Sequence, residues 1–206
     1  PSGNGLNGDG AATQTAIVVP APQNSSKYYI FTVDTNGGPR GLCYSEVDMT
    51  LNGGSGDVTV KNIHLQSAVT EKLTAVRHAN GIDAWVIVHG WNNNEFYAYQ
   101  VTATGVSGSP VTSSIGAVHG GLFNNSHGYM KASPDAEKLA LAIRGTRQLE
   151  IFDFDNITGQ ISNTISTTYP VQIYGVEFSP DSRLVYVTTM ANPGEIHQLD
   201  LSAGSA

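Results

Sequence analysis

Two stretches of the sequence, Gly128-Tyr-Met-Lys-Ala-Ser-Pro-Asp135 and Gly175-Val-Glu-Phe-Ser-Pro-Asp181, are variants of one pattern. In each, a short apolar segment ends at Ser-Pro-Asp and a second apolar segment follows, at 138–143 or 183–188. Proline presets φ for a turn and aspartate bonds back to the chain, so each triplet predicts a hairpin between two strands. The two serines are 46 residues apart, a spacing typical of a β-propeller blade.

Further copies extend this repeat in both directions. Phe152-Asp-Phe-Asp-Asn-Ile-Thr-Gly159 aligns with Gln198-Leu-Asp-Leu-Ser-Ala-Gly204, with Asp155 over Asp200, and weaker copies lie upstream. The apolar segments are rich in the β-branched and aromatic residues that pleated sheets prefer, and no stretch keeps a helical period. We therefore predict an all-β fold, a β-propeller or part of one, that spans residues 1–206 as a single region. Its blades of four antiparallel strands are expected at 16–66, 71–118, 127–166 and 173–204, and the last lacks its outer strand.

Composition excludes several classes of function. The chain carries 10 Lys and Arg against 17 Asp and Glu, for a net charge of −7. Binding to nucleic acid or to an anionic membrane surface requires clustered cationic side chains, so neither partner is expected. No apolar run is long enough to insert into a bilayer. The single cysteine, Cys43, is expected on an apolar strand, reduced and without a metal.

The ends of the repeat predict an open arc. After Leu201 the sequence offers no outer strand, and the Gly- and Asn-rich opening 1–10 resembles a loop in the middle of a larger ring. Such an arc would expose the apolar faces of its terminal blades, and the remainder of a parent chain, a second copy or a partner protein would have to cover them. The residues expected on these faces are Ile17, Val19, Tyr29 and Phe31 at one end and Val176, Phe178, Val185 and Val187 at the other.

Several segments together resemble a known family. They include Tyr28-Tyr-Ile-Phe-Thr-Val-Asp34, Val88-His-Gly-Trp-Asn92 and Tyr174-Gly-Val-Glu-Phe-Ser-Pro-Asp181. The chain is similar to the WD-repeat-like propeller region of large secreted Bacteroidota surface proteins. Those proteins carry polycystic-kidney-disease-type repeats and a gliding-motility-associated C-terminal sorting domain. The resemblance implies type IX secretion and a location at the cell surface, associated with the outer membrane, and it assigns no enzymatic chemistry to any residue.

The chemical motifs in the sequence are weak. No Gly-x-Ser-x-Gly elbow is present, and the six histidines are scattered singly, without the spacing of a zinc site. Glu46, Asp48 and Asp57 are candidates for a glycosidase pair, but Glu46 and Asp48 share a strand face that is expected to be solvated. Accordingly, no catalytic residue, metal ligand or cofactor is assigned.

One side of the expected propeller collects aromatic, amide and cationic residues in its loops. An aromatic ring stacks on the apolar face of a sugar while amides satisfy its hydroxyls, so a glycan or a protein is the expected ligand. The alternative is that Trp91 packs between blades and the asparagines only permit left-handed turns. The candidate binding residues are His89, Trp91, Asn92, Asn93, Asn94, His119, Asn124, Asn125, His127, Arg144 and Arg147.

These observations favour a non-enzymatic extracellular recognition or display module that takes part in adhesion. The alternative is an enzyme of the propeller class, either a lactonase-like hydrolase or a glycan lyase. A divalent metal or a pair of carboxylates in the central channel would distinguish the enzyme from the binding module.

Overall fold

The computed structural model describes residues 3–203, which form sixteen strands in four antiparallel sheets and two short 3₁₀ turns, Asn52–Gly54 and Phe123–Asn125. The first sheet contains β1 (Ala16–Pro20), β2 (Lys27–Val33), β3 (Leu42–Asp48) and β4 (Asp57–Gln66). The second contains β5 (Val69–Arg77), β6 (Ala84–Gly90), β7 (Asn93–Thr102), β8 (Gly105–Val106) and β9 (Val111–His119). The third contains β10 (Met130–Ala132), β11 (Lys138–Ile143), β12 (Gln148–Phe154) and β13 (Ile161–Thr168), and the fourth contains β14 (Ile173–Phe178), β15 (Leu184–Thr189) and β16 (Ile196–Asp200).

Each sheet is a meander in which consecutive strands are neighbours, and β8 and β9 both pair with β7. The fold is an all-β, propeller-like arrangement, as the sequence predicted. The fourth sheet has three strands within the described residues.

Side chains on the central strands alternate between the two neighbouring sheets. On β6, Val86 and Val88 join the cluster shared with the first sheet, whereas Trp85 and Ile87 join the cluster shared with the third. A strand covered on both faces is apolar without interruption, and this explains the sequence Ala-Trp-Val-Ile-Val of β6. On β11, the large Leu and Ile side chains face the second sheet and the alanines face the fourth.

Three hydrophobic clusters join the first sheet to the second, the second to the third and the third to the fourth. Within residues 3–203, no such cluster joins the fourth sheet to the first. The expectation that apolar residues of the end sheets lie on exposed terminal faces is wrong for Val19, Tyr29, Phe31, Val176, Phe178, Val185 and Val187. All seven are buried because their side chains point inward, toward the neighbouring sheet, and Ile17 is half-buried against the same cluster.

The N-terminal segment covers the outward face of the first sheet. The Asn62 side chain donates to Gly5 O at 2.9 Å and accepts from Asn7 N–H at 2.7 Å. Asn7 Nδ2 also lies 3.5 Å from the sulfur of Cys43, which is buried on β3 and donates to Arg40 O at 3.2 Å. Burial raises the pKa of the Cys43 thiol. Residues 1–2 lie outside the described range, but the rest of the expected mid-ring loop packs against the blade.

The two Ser-Pro-Asp triplets form equivalent turns in adjacent sheets, β10–β11 and β14–β15. In each, the serine hydroxyl donates to the aspartate at 2.5 Å, and it accepts at 2.9 Å from the first strand residue, Lys138 or Leu184. The aligned pair Asp155 and Asp200 both accept from the amide two residues later. The strand register, however, pairs Lys138 with Asp153 and Leu184 with Asp200, so Asp200 lies at the position of Asp153, two residues before Asp155.

The part of the chain that the structure describes contains no helix with the length and apolar character needed to cross a bilayer.

Candidate functional site at the loop face

Alternate connections between the antiparallel strands emerge on the same side of the sheets, and we call this side the loop face. It carries the β2–β3, β4–β5, β6–β7, β9–β10, β11–β12, β13–β14 and β15–β16 connections. The Ser-Pro-Asp turns lie on the opposite side. Because consecutive strands of a meander run in opposite directions, strand order alone determines the side on which each connection lies.

The β6–β7 turn positions Trp91 and Asn92. The Trp91 ring lies over Gly37 of the β2–β3 loop, where a Cβ would be 2.2 Å from the indole Cδ1. Asn92 has φ 63°, which asparagine tolerates. Its side chain accepts from Gly121 N–H at 3.2 Å, and its own amide donates to His119 O at 2.6 Å. Trp91 therefore packs between the first two blades, as the alternative interpretation expected, and remains half-buried at the surface.

The β9–β10 loop brings Asn124, Asn125 and His127 to the same region. Asn125 donates from its side chain to Gly120 O at 2.7 Å, within the loop. Asn124 O accepts from Gly145 N–H at 3.1 Å, and His127 O accepts from Arg144 N–H at 3.2 Å. These two bonds hold the β11–β12 loop, which contains Arg144 and Gly145, against the β9–β10 loop.

His127 lies between a cation and a carboxylate. Its Nδ1 is 3.3 Å from an Arg144 guanidinium nitrogen, which can only donate, so Nδ1 accepts and Nε2 carries the proton. Nε2 then donates to Asn36 Oδ1 at 3.0 Å and lies 3.2 Å from Glu71 Oε1. Burial lowers the pKa of His127, and the charge of Arg144 lowers it further against the opposing effect of Glu71. The imidazole is therefore neutral at pH 7.

Glu71, at the start of the inner strand β5, is only 1% exposed, and both of its oxygens are occupied. Oε2 accepts from the amide and hydroxyl of Thr13 at 2.7 and 2.9 Å. Oε1 accepts from the Thr35 hydroxyl at 2.8 Å and the Asn36 amide at 3.1 Å. Burial by itself raises the pKa of this carboxyl, but these hydrogen bonds outweigh it and hold the pKa below its usual value.

Lys72, the next residue, is fully buried on the other side of β5. Its Nζ donates to Ser126 O and His127 O, both at 3.0 Å, which closes the β9–β10 loop over the strand. Burial lowers the pKa of Lys72 to about 7. Sequence reasoning missed Glu71 and Lys72, because an adjacent acid and base in a strand give no sign of being buried.

The N-terminal approach to β1 fills the space between the inner strands. The Gln14 side chain accepts from the amides of Met130 and Leu73 at 2.8 and 3.3 Å and donates to Met130 O at 3.0 Å. The Thr13 hydroxyl lies 3.0 Å from the Tyr174 hydroxyl on the fourth sheet. The inner ends of all four sheets are thus connected by side chains of residues 13–14 and of Glu71.

The expectation that His89 and His119 lie at the binding face is wrong. Both are 0% exposed, and their rings stack with centroids 3.7 Å apart. His89 Nδ1 is 2.8 Å from Gly90 O, whereas His89 Nε2 and both nitrogens of His119 have no partner. These histidines are at the ends of β6 and β9, where the sequence suggests a loop, but β9 pairs with β7, and the His89 ring lies against the rings of Phe96 and His119.

The remaining candidates lie nearby with separate contacts. Asn93 bonds within its own hairpin to Glu95 and Tyr97, and Asn94 is half-buried in β7. Arg147 is exposed and donates to Pro170 O at 3.0 Å. The structure therefore links Trp91, Asn92, Asn124, Asn125, His127 and Arg144 into one contiguous patch, which we call the rim patch.

Among residues 3–203, no group of three or more His, Cys, Asp or Glu side chains is placed to hold a metal ion. The carboxylate nearest the rim patch, Glu71, has no free lone pair directed at solvent. The patch offers amide donors and acceptors, an indole edge and a guanidinium group. These groups are suited to hydrogen bonding and stacking with a ligand.

No family model matches the sequence, and no curated protein matches it. The fold, however, is shared with many solved structures. Hydrazine synthase from Kuenenia stuttgartiensis superposes with a TM-score of 0.56 at 17% identity, over 99% of this chain and 50% of that one. A Bacteroides fragilis protein named for a proposed 6-phosphogluconolactonase activity gives a TM-score of 0.53 at 12% identity, over 93% and 56%. A Lactobacillus plantarum protein gives 0.52 at 14%, over 84% and 53%. The chain thus spans about half the length of these structures, with which it shares a propeller-like fold.

Proposed function

We propose that this chain is a non-enzymatic recognition module whose ligand, a protein or a glycan, binds at the rim patch. The observation that carries this proposal is the saturation of Glu71. A general base needs a free lone pair and access to substrate, but this carboxylate accepts four hydrogen bonds from its own chain and is 1% exposed.

The filled space at the inner strands supports the same proposal. Gln14 connects β5 to the start of β10, and Thr13 reaches the fourth sheet, so groups of the chain itself occupy the position where a channel site would lie. Around them, Asn92 is exposed and Trp91, His127 and Arg144 are half-buried. Half-buried aromatic and arginine side chains on a rigid base are typical anchors of binding surfaces.

The resemblance of the sequence to secreted Bacteroidota surface proteins supports export by type IX secretion and display at the cell surface, where such a module would serve adhesion. This part of the proposal is tested by locating the full-length protein in its cell, by fractionation and by surface labelling of intact cells.

Ligand binding is tested on glycan and protein arrays, with wild type and Arg144→Ala compared at equal concentration. Arg183→Ala is the matched control, because Arg183 is an exposed arginine on the opposite side of the sheets. We expect a ligand whose affinity falls about tenfold or more in Arg144→Ala and is unchanged in Arg183→Ala, as for an anchor residue. Equal binding by both variants would contradict a site at the rim patch.

A second candidate function is lactone hydrolysis. Its support is the position of the His127 imidazole between the Arg144 guanidinium group and the Glu71 carboxylate, which orients the ring, in a fold shared with a protein named for that activity. Release of acid from 6-phosphogluconolactone above the spontaneous rate, lost in His127→Ala, would favour the hydrolase. A rate equal to buffer would favour the recognition module.

A further inference from the structure

A polar groove lies between the first two sheets, on the side opposite the loop face. Its volume is about 320 Å³, at the lower end of the range for small-ligand sites. The first sheet contributes the β1–β2 turn and residues of β2 and β3, and the second contributes the β7–β8 turn. The groove shares no residue with the rim patch.

Alternation brings four polar side chains of the first sheet to this groove. Lys27 and Tyr29 share one face of β2, and Tyr44 and Glu46 share one face of β3. The register pairs Tyr29 with Glu46, so all four lie on the face of the sheet that meets the second sheet. The Tyr29 hydroxyl lies against the β7–β8 turn, where a Cβ on Gly105 would be 3.8 Å from it. The second sheet thus closes the groove beside these side chains.

These polar groups are free to bind a ligand. The hydroxyls of Tyr29 and Tyr44, the Glu46 carboxylate and the Lys27 ammonium group have no hydrogen-bond or ion-pair partner among residues 3–203. The carboxylate and the ammonium group face the same groove without touching each other. Each therefore keeps its full hydrogen-bonding capacity.

The free hydroxyl of Tyr29 contrasts with those of other buried tyrosines. Tyr97 and Tyr99, which are 7% and 1% exposed, donate to Glu95 at 2.5 Å and to Leu65 O at 3.1 Å. Tyr29 is 8% exposed, and yet its hydroxyl has no partner in the described part of the chain. Buried polar groups are normally hydrogen-bonded, so a hydroxyl of this kind at the wall of a groove indicates a ligand.

Both phenols keep their proton at neutral pH. Burial raises the pKa of Tyr29 and of Tyr44, and the charge of Glu46 raises each pKa further. Each hydroxyl can therefore donate a hydrogen bond as well as accept one. The groove thus offers an anionic acceptor, a cationic donor and two hydroxyls in a small volume.

The two opposite charges restrict the chemistry of the ligand. Glu46 repels an anion and Lys27 repels a cation, so a ligand with a net charge gains from one group and loses from the other. A neutral compound with several hydroxyls avoids this conflict, because a hydroxyl donates to a carboxylate and accepts from an ammonium group. The volume of the groove suits a compound of the size of a mono- or disaccharide.

We propose that this groove is a binding site for a neutral sugar. Two neighbouring hydroxyls of the sugar donate to the two oxygens of Glu46, and another oxygen accepts from Lys27. The hydroxyls of Tyr29 and Tyr44 bond to the remaining polar groups of the sugar. The site lies on the side opposite the rim patch and does not depend on the function proposed for that patch.

The test titrates the full chain with the methyl glycosides of glucose, galactose, mannose and N-acetylglucosamine, followed by saturation-transfer-difference NMR. We expect at least one of them to bind with a Kd below about 10 mM. Glucuronate, an anionic sugar, and glycine, a zwitterion, are the comparison ligands. Absence of binding by all four glycosides at about 50 mM would overturn the proposal, as would tighter binding of glucuronate or glycine than of every glycoside.

Two pairs of variants locate the bound sugar. Glu46→Gln removes the charge and one acceptor, and Glu177→Gln, an exposed carboxylate on the fourth sheet, is its control. Tyr44→Phe removes one hydroxyl, and Tyr28→Phe, on the opposite face of β2 from Tyr29, is its control. We expect affinity to fall about tenfold or more in Glu46→Gln and about fivefold in Tyr44→Phe, and to stay unchanged in the controls.

The lost hydroxyl of Tyr44→Phe has no partner among the described residues, so its urea midpoint should equal that of wild type. Weaker binding by this variant therefore reports on the ligand and not on unfolding. Equal affinity of wild type, Glu46→Gln and Tyr44→Phe would overturn the proposal. Arg144→Ala should bind the glycoside normally, and a loss of affinity there would place the sugar at the rim patch and overturn this site.

Discussion

The hydroxyl of Ser182 accepts a hydrogen bond from the backbone N–H of Asp135 at 3.1 Å, and so joins the Ser-Pro-Asp turn of the fourth sheet to that of the third. Ser182 is the third residue after Ser179, and its counterpart after Ser133 is Ala136. Both have φ near +60°, at 60° and 63°. The two turns thus have the same backbone conformation. They differ at one position, where Ser182 replaces alanine and forms a contact with the neighbouring blade.

Replacement of Ser182 by alanine should therefore remove this contact without changing the turn, because Ala136 shows that alanine adopts the same conformation. We expect a loss of about 1 kcal/mol in the free energy of unfolding, the usual value of one hydrogen bond. Urea denaturation measures it, with Ser202→Ala as control, since the Ser202 hydroxyl bonds only locally to Asp200. An equal loss in both variants would contradict a link between blades.

Gly37→Ala should displace Trp91. Gly37 has φ +69° and its Cβ would meet the indole at 2.2 Å, whereas Gly53, with φ +65°, has open space around it. Alanine at either position bears the cost of the left-handed backbone, about 1 kcal/mol, but only Gly37→Ala also moves the ring. We expect a shift of tryptophan emission toward longer wavelength in Gly37→Ala and none in Gly53→Ala. Unchanged emission in both would show that Trp91 does not depend on this contact.

Glu71→Gln should strongly destabilise the fold. The carboxylate accepts hydrogen bonds from Thr13, Thr35 and Asn36. In glutamine, the NH₂ group would replace one of the accepting oxygens, and its hydrogens would face the N–H or O–H groups that now donate to that oxygen. We expect a loss of about 2–4 kcal/mol in the free energy of unfolding. Glu177→Gln is the control, because Glu177 forms an exposed ion pair with Lys131 and such pairs contribute less than about 1 kcal/mol. A loss below about 1 kcal/mol in Glu71→Gln would contradict the role of Glu71 at the inner ends of the sheets.

Acid should destabilise the protein through the buried histidine pair. Burial lowers the pKa of His89 from 6.5 to about 3, and it lowers the pKa of His119 well below its usual value, with the neighbouring His89 as the next cause. A histidine whose pKa is lower in the folded than in the unfolded protein contributes stability that is fully present above pH 6.5. This contribution is lost as the pH falls toward 3, because the unfolded protein takes up the proton first. For His89 alone the loss is about 2 kcal/mol at pH 5.

Denaturation at pH 7 and pH 5 measures this loss. His119→Phe should show a smaller loss than wild type, because it keeps an aromatic ring against His89 and removes one of the two groups that must be charged. His64→Phe is the control, since His64 lies exposed on β4. If wild type and His119→Phe lose equal stability between these pH values, another group is responsible.

The sequence anticipated the features that depend on local interactions. The Ser-Pro-Asp turns close through hydrogen bonds between residues two to five positions apart, so the triplet and its spacing predict the hairpin wherever it occurs. The loop face followed from the same reasoning, because strand order determines which connections share a side. This reasoning placed four residues on the loop face, where the structure also has them: Trp91, Asn92, His127 and Arg144.

The burial of Glu71, Lys72, His89 and His119 was decided by tertiary structure. Lys72 meets Ser126 and His127, 54 and 55 residues further along the chain, and Glu71 meets Thr13, 58 residues before it. No spacing rule covers contacts of this range, and their polar side chains are typical of exposed positions. The same holds for the N-terminal segment that covers Cys43. Hydrogen bonds within the turns and the alternate direction of side chains along each strand thus determine the blades. The packing of one blade against the next determines which polar groups are enclosed between them.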